Sequence, residues 1–132
     1  MVATNKKSDL ISPPLVSIII PHYNGFEIIN ECLLSLNKST FKDYEINLVD
    51  NASTDDSINR IKGKFPDINI IKSNQNLGYA GGCNLGAMHS NGKLLLFLNN
   101  DTIHEPNWIE PLVNLIVNDE KIASVQPKIL NI

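Results

Sequence analysis

Asp101 stands just past the apolar run Leu94 to Leu98, in the string Asn99-Asn100-Asp101-Thr102. A carboxylate at a strand exit, among backbone amides, is a hard oxygen donor suited to Mg²⁺ or Mn²⁺. An ion there would bridge two phosphates and neutralise a diphosphate leaving group. The plainer alternative is an Asp that caps the following turn. A second carboxylate, Asp50, closes another apolar run and opens Asp50-Asn51-Ala52-Ser53-Thr54-Asp55. Ser53 and Asp56 have capping-box spacing, so Ser53 is expected to cap the next helix. Asp50 lies too early to be needed by that cap. Its carboxylate could accept a hydrogen bond from the imide N–H of uracil or thymine.

The third string, Asn74 to Asn84, contains Gly78, Gly81 and Gly82. Small residues let backbone approach a ligand closely, and a helix N-terminus attracts phosphate. A flexible turn before a tightly packed helix explains the same composition. The string lacks the Gly-Lys-Ser/Thr of a P-loop, and Gly-x-Gly-x-x-Gly does not follow the first strand. His22, His89 and His104 show no metal-ligand spacing, although His22 and His104 both fall close to the polar strings. Gly-x-Ser-x-Gly is missing, so serine-based catalysis has no support.

These strings must be positioned by the segments between them. Val16 to Ile20 is a β-branched run closed by Pro21 and reads as a buried strand. Phe26, Ile29, Leu33 and Leu36 recur at helical spacing, predicting a helix over 26–38. Ile46 to Val49 is a second strand. Ile58, Ile61 and Phe65 form the inner face of the next helix, which Pro66 helps to end. Ile68 to Ile71 is a third strand, and a glycine-rich helix runs from 78 towards Asn91-Gly92. Leu94 to Leu98, apolar throughout, predicts a central fourth strand. A helix over 108–118, packed by Trp108 and Ile109, and a fifth strand over 122–125 complete the pattern. Alternation at this spacing means βαβ units and a mainly parallel sheet with flanking helices. Ligands bind outside the carboxyl ends of such strands. Tyr23-Asn24, Asp50-Asn51 and Asn99 to Asp101 all lie just past strand ends, so they share one ledge.

Composition narrows the field further. The 132 residues suffice for one core, and 42% are apolar, as in ordinary globular domains. Residues 1–14 read as a flexible tail and 15–132 as one domain. The net charge of -3 argues against a nucleic-acid surface. Cys32 and Cys83 form no CxxC pair and read as buried thiols of a reducing cytoplasm. The start of the chain is polar and shows no secretory signal. The longest apolar runs fall far short of the ~20 residues that span a bilayer. An amphipathic contact with the inner face of a membrane stays open.

Taken together, the strings resemble a known family. Val16-Ser17-Ile18-Ile19-Ile20-Pro21-His22-Tyr23-Asn24 is similar to the opening of family 2 glycosyltransferases of the GT-A fold. Leu48 to Asp55, Asn76 to Asn84 and Leu98 to Thr102 resemble their second, third and fourth motifs, in order, over about residues 16–127. The Asp-Asn and Asn-x-Asp versions look most like the rhamnosyltransferase-like branch. The resemblance implies a transferase moving a sugar from a UDP- or dTDP-sugar donor to a glycan or lipid-linked acceptor, with inversion and a divalent metal.

It also implies roles by position. Pro21, Tyr23 and Asn24 would wall the base or ribose, and Asp50, followed by Asn51, would bind the base. Asn76, Gly78 and Asn84 would shape the nucleotide pocket. Asn99 and Asn100 would stand beside Asp101, the metal ligand. Asn99 replaces the first acid of the commoner motif, which removes one negative charge from the metal site. The family's catalytic base and acceptor pocket lie well past the fourth motif. Both are therefore expected beyond Ile132, with the domain incomplete at its C-terminus. A nucleotide-binding module without transfer activity of its own is the alternative. A nucleotidyltransferase would want a basic glycine-rich loop after the first strand, and Pro21 to Gly25 contains no Lys or Arg.

Overall fold

Val16–His22, strand β1, is buried along its whole length because it is paired on both edges and covered on both faces. A computed structural model of the chain describes residues 12–130. Residues 1–11 of the expected tail lie outside the described residues. On one edge β1 pairs in parallel with β2 (Tyr44–Asp50), in a register that sets His22 opposite Asp50. On the other it pairs in parallel with β4 (Leu94–Phe97), with Ile19 opposite Phe97. Strand β3 (Asn69–Lys72) flanks β2, giving the order β3-β2-β1-β4.

The period of two sorts β1 between two layers. Val16, Ile18 and Ile20 face a core built with α1 (Phe26–Asn37), α2 (Ser57–Lys64) and α4 (Ile109–Asn118). That core takes Ile29, Leu33 and Leu36 from α1, Ile61 from α2 and Ile109 from α4, all fully buried. Ser17, Ile19 and Pro21 face the other way, towards α3 (Gly78–Met88). There α3 lays glycine against the sheet. A Cβ on Gly86 would meet Ile19 Cγ2 at 2.4 Å and Val49 Cγ2 at 3.0 Å. Helices on both faces of a parallel sheet are the α/β architecture expected.

Four expectations need correction. Among the described residues strand β4 is an edge strand rather than a central one. Its apolar run made it look buried on both sides, but Leu94, Leu96 and Leu98 pack on the core while Leu95 and Phe97 are exposed. Residues 122–125 form no strand among the described residues. That run is apolar enough, but no neighbour supplies it with a ladder, and Ala123 and Ser124 are exposed. Helix α3 stops at Met88 rather than near Asn91, because the His89 and Ser90 amides turn to the Gly86 and Ala87 carbonyls three residues back, at 3.1 and 3.2 Å, while Ser90 Oγ donates to the Gly86 carbonyl. Helix α2 begins at Ser57 and is not capped by Ser53, whose hydroxyl is used elsewhere. No helix among the described residues is long and apolar enough to cross a membrane.

Candidate functional site

The carboxyl ends of β1 and β2 lead into two loops that lock together. After His22 the chain reverses through Asn24 and Gly25, both in the left-handed region at φ 55° and 85°. Gly25 adopts that region without steric cost, and Asn tolerates it better than most residues. The Asn24 side-chain oxygen accepts the N–H of Thr54 at 2.8 Å and that of Asp55 at 3.3 Å. In return Ser53 Oγ accepts the Asn24 N–H, and Asp55 Oδ2 accepts the Gly25 N–H at 2.7 Å. Asp50 Oδ1 accepts the Ser53 N–H at 2.8 Å within its own loop. Side chains expected to cap a helix or face a ligand therefore clamp loop to loop.

Beneath the clamp lies His22, 1% exposed. Its Nε2 is 3.0 Å from Ser57 Oγ, and its Nδ1 is 3.2 Å from Asn100 Nδ2. The Ser57 hydroxyl in turn donates to Asp55 Oδ1. Burial pushes the pKa of His22 below its ordinary value, against the opposing pull of Asp55 and Asp50. Asp55 is held below the usual carboxylate range by the Ser57 hydroxyl first and the Gly25 amide second.

Above these loops an open cleft of about 260 Å³ lies at the carboxyl end of the sheet. Pro21 and Tyr23 line it from β1 and its loop, and Asn51 from the end of β2. Asn76 and Gly78 close it from the start of α3, and Asn100 from the exit of β4. Four sequence strings separated by some 80 residues thus meet at one place. Asn51 is 3% exposed; its Nδ2 donates to the Gly78 carbonyl at 3.1 Å, and its Oδ1 has no protein partner among the described residues. A buried acceptor without a protein partner, on a residue that lines the cleft, is a candidate to pair with a ligand donor.

The other proposed residues take different places. Asp50 is buried, with one carboxylate oxygen committed to Ser53, and Asn51 rather than Asp50 lines the cleft. The Asn24 carboxamide oxygen is committed to the loop clamp. Asn84 is exposed on α3, and Asn99 and Asp101 are exposed beside Asn100. Tyr79 lines the cleft although it was given no role from the sequence, and His22 lies at the ledge as its place beside the polar strings suggested. The signal for Tyr79 was an aromatic residue inside the glycine string. His104 is not at the ledge: its Nδ1 lies 2.9 Å from Ser35 Oγ on α1, and its ring stacks on Trp108. Cys32 is buried, and burial pushes its thiol up to about 11, which suits packing rather than chemistry. A larger groove of about 530 Å³ beside α4, with Pro111, Leu115 and Ile122, lies on a different element from the motif loops.

The donor set also bears on a metal. Among the described residues no three His, Cys, Asp or Glu side chains converge on one point. A closed structural site is therefore absent from them. Asp101, exposed at the cleft's end of β4, fits the other arrangement. Mg²⁺-like ions keep several waters and take one or two carboxylates plus substrate phosphates.

Comparison with known proteins agrees with this geometry. The chain is 30% identical over 115 residues to an uncharacterised glycosyltransferase of Haemophilus influenzae, covering 85% of this chain and 36% of that protein. It therefore spans about a third of that relative's length. S. aureus TarS 1-349 in complex with UDP superposes with a TM-score of 0.70 and 25% identity, over 78% of this chain and 32% of that one. The mannosyltransferase PcManGT from Pyrobaculum calidifontis, in complex with GDP-Man and Mn²⁺, gives 0.61 and 26%, over 69% and 28%. The parallel sheet with its flanking helices matches the GT-A-like fold of such neighbours. The family model described as glycosyl transferase family 2 matches residues 17–130, and the chain belongs to that family.

Proposed function

We propose that this chain forms the donor-binding part of an inverting, metal-assisted glycosyltransferase that uses a pyrimidine nucleotide-sugar. One observation carries the reading. Residues of all four motif strings line a single cleft at the carboxyl ends of parallel strands, where α/β sheets hold ligands. The UDP complex of the similar TarS supports a uridine nucleotide as donor. In the cleft, Tyr23 and Pro21 offer an apolar wall for the base. Asn51 Oδ1 offers an acceptor for a base N–H, a role shared with or taken over from Asp50. Asn76 and Gly78 sit where α3 begins, a place that favours phosphate, and Asn84 lies further along the same helix. Asn99 and Asn100 flank Asp101, the residue that would hold a divalent ion, and the Mn²⁺ complex of PcManGT supports such an ion. When bound, the ion supplies positive charge to the diphosphate of the donor.

An acceptor hydroxyl, on a glycan or lipid-linked sugar, would be deprotonated by a base outside the strings described here. The Asp50-Asn51 and Asn99-x-Asp101 versions of the motifs support the rhamnosyltransferase-like branch. The test is a calorimetric titration of the chain with UDP, dTDP and ADP, with and without Mn²⁺. Metal-dependent binding of a pyrimidine diphosphate, but not ADP, is the expected result. Equal binding of all three, or none by folded protein, would refute the donor-site reading.

A further inference from the structure

His22 is joined by hydrogen bonds on both ring nitrogens, and no motif role uses it. Its two bonds define a direction. A carboxylate can only accept, so the Ser57 hydroxyl donates its proton to Asp55 Oδ1. The oxygen of Ser57 then faces His22 with a lone pair, which makes Nε2 the protonated nitrogen. Nδ1 is left with a lone pair and receives an N–H of Asn100. Asn100 therefore keeps its amino group turned to the histidine, and its carbonyl oxygen is the end available to the cleft it lines. The ring is fully enclosed and both nitrogens are engaged, so this orientation is held.

We propose that His22 is a positioning residue: anchored by Asp55 and Ser57, it fixes the Asn100 carboxamide with its oxygen towards the ligand, so that this position reads a hydroxyl of the nucleotide's sugar and disfavours a phosphate oxygen. The proposal rests on the donor-site reading above for its ligand. It does not rest on that reading for the relay.

Two isosteric variants separate the two bonds. Gln at 22 places its carboxamide near the Nε2 position and keeps the Ser57 contact. Asn at 22 places its carboxamide near Nδ1 and keeps the Asn100 contact. UDP titration should show His22→Gln binding roughly five-fold more weakly than wild type, the size of one hydrogen bond, with His22→Asn closer to wild type. Asn100→Ala should lose a similar factor, and His22→Gln should cost nothing further in that background. Ser57→Ala, which frees the ring without altering it, should weaken UDP in the same direction. Thermal melts of each variant report folding separately. Equal losses for Gln and Asn at 22, or fully additive losses with Asn100→Ala, would overturn the positioning role. Long-range ¹H–¹⁵N correlation of the imidazole tests the relay without any ligand. A protonated Nε2 and an unprotonated Nδ1 are expected, and the reverse tautomer would overturn it. If wild type binds no UDP, the donor-site reading and this ligand assignment fail together, while the imidazole spectrum still decides the relay.

Discussion

Replacing Gly86 by Ala and Gly63 by Ala makes the same chemical change in two helices, and the structure gives opposite signs. At Gly86 the new carbon would lie 2.4 Å from Ile19 Cγ2 and 3.0 Å from Val49 Cγ2. Ordinary carbon contacts are about 3.5–4.0 Å. Ile19 and Val49 are both fully buried and β-branched, so neither can swing clear. Helix α3 must lift from the sheet, and overpacking of this kind costs about 1–3 kcal/mol. Removing a helical glycine returns up to about 1 kcal/mol. A 2.4 Å approach to an immobile side chain belongs to the upper part of that range, about 2–3 kcal/mol, so the net is a loss of roughly 1–2 kcal/mol, or about 3–8 °C in Tm for a chain of this size. Gly63, in α2, has nothing within 4 Å of the added carbon. Gly63→Ala should therefore stabilise by up to about 1 kcal/mol, roughly 2–4 °C. Calorimetric or circular-dichroism melts of the three proteins at one concentration decide the matter. A Gly86→Ala protein that melts at or above wild type would refute the close approach of α3 to the sheet.

Three further outcomes follow from the site. Asp101→Ala, at an exposed position, should leave the melting curve unchanged while abolishing the Mn²⁺-dependent part of nucleotide binding; retained Mn²⁺ dependence in titration would remove Asp101 as the ligand. Asn51→Ala should weaken uridine and thymidine nucleotides more than adenine nucleotides, whereas Asp50→Ala should first lower stability by about 1 kcal/mol through the lost Ser53 contact, both read by titration and melts. The Ser57 hydroxyl and the Gly25 amide hold the Asp55 carboxyl below the ordinary aspartate value of 3.8, so its stabilising effect is complete above that pH and disappears as pH falls through the folded value. Asp55→Asn should therefore be less stable than wild type at neutral pH and converge with it in acid melts. A constant gap across pH would exclude this linkage.

The sequence showed which segments are strands and helices because periodicity and strand-end polarity are local signals. The ledge at Tyr23, Asn51 and Asn100 was legible for the same reason, since each follows an apolar run. Neighbour relations were not. The run Leu94 to Leu98 carries no mark that distinguishes an edge strand from a central one, and its outer side chains, Leu95 and Phe97, are as apolar as its inner ones. Ile122 to Val125 has strand composition, but a strand is defined by its partner. Ser53 has the spacing of a cap, yet a bond to Asn24, 29 residues away, takes its hydroxyl. Long-range partners of this sort also explain why Asn24 proved to be a loop clamp as much as a site candidate, whereas Asp50 is held locally by the Ser53 amide.

The clamp has a consequence for the order in which the molecule assembles. Its bonds join residues 29 to 31 apart in sequence, and the histidine contact spans 35. None can form in an isolated hairpin or helix, because the β1–β2 pairing of parallel strands must first close the whole α1 crossover. The cleft is thus a product of the completed sheet and has no nascent form in the unfolded chain. In native-state hydrogen exchange, the amides of Gly25 and Thr54 should open together with the strand pair despite their place in surface loops.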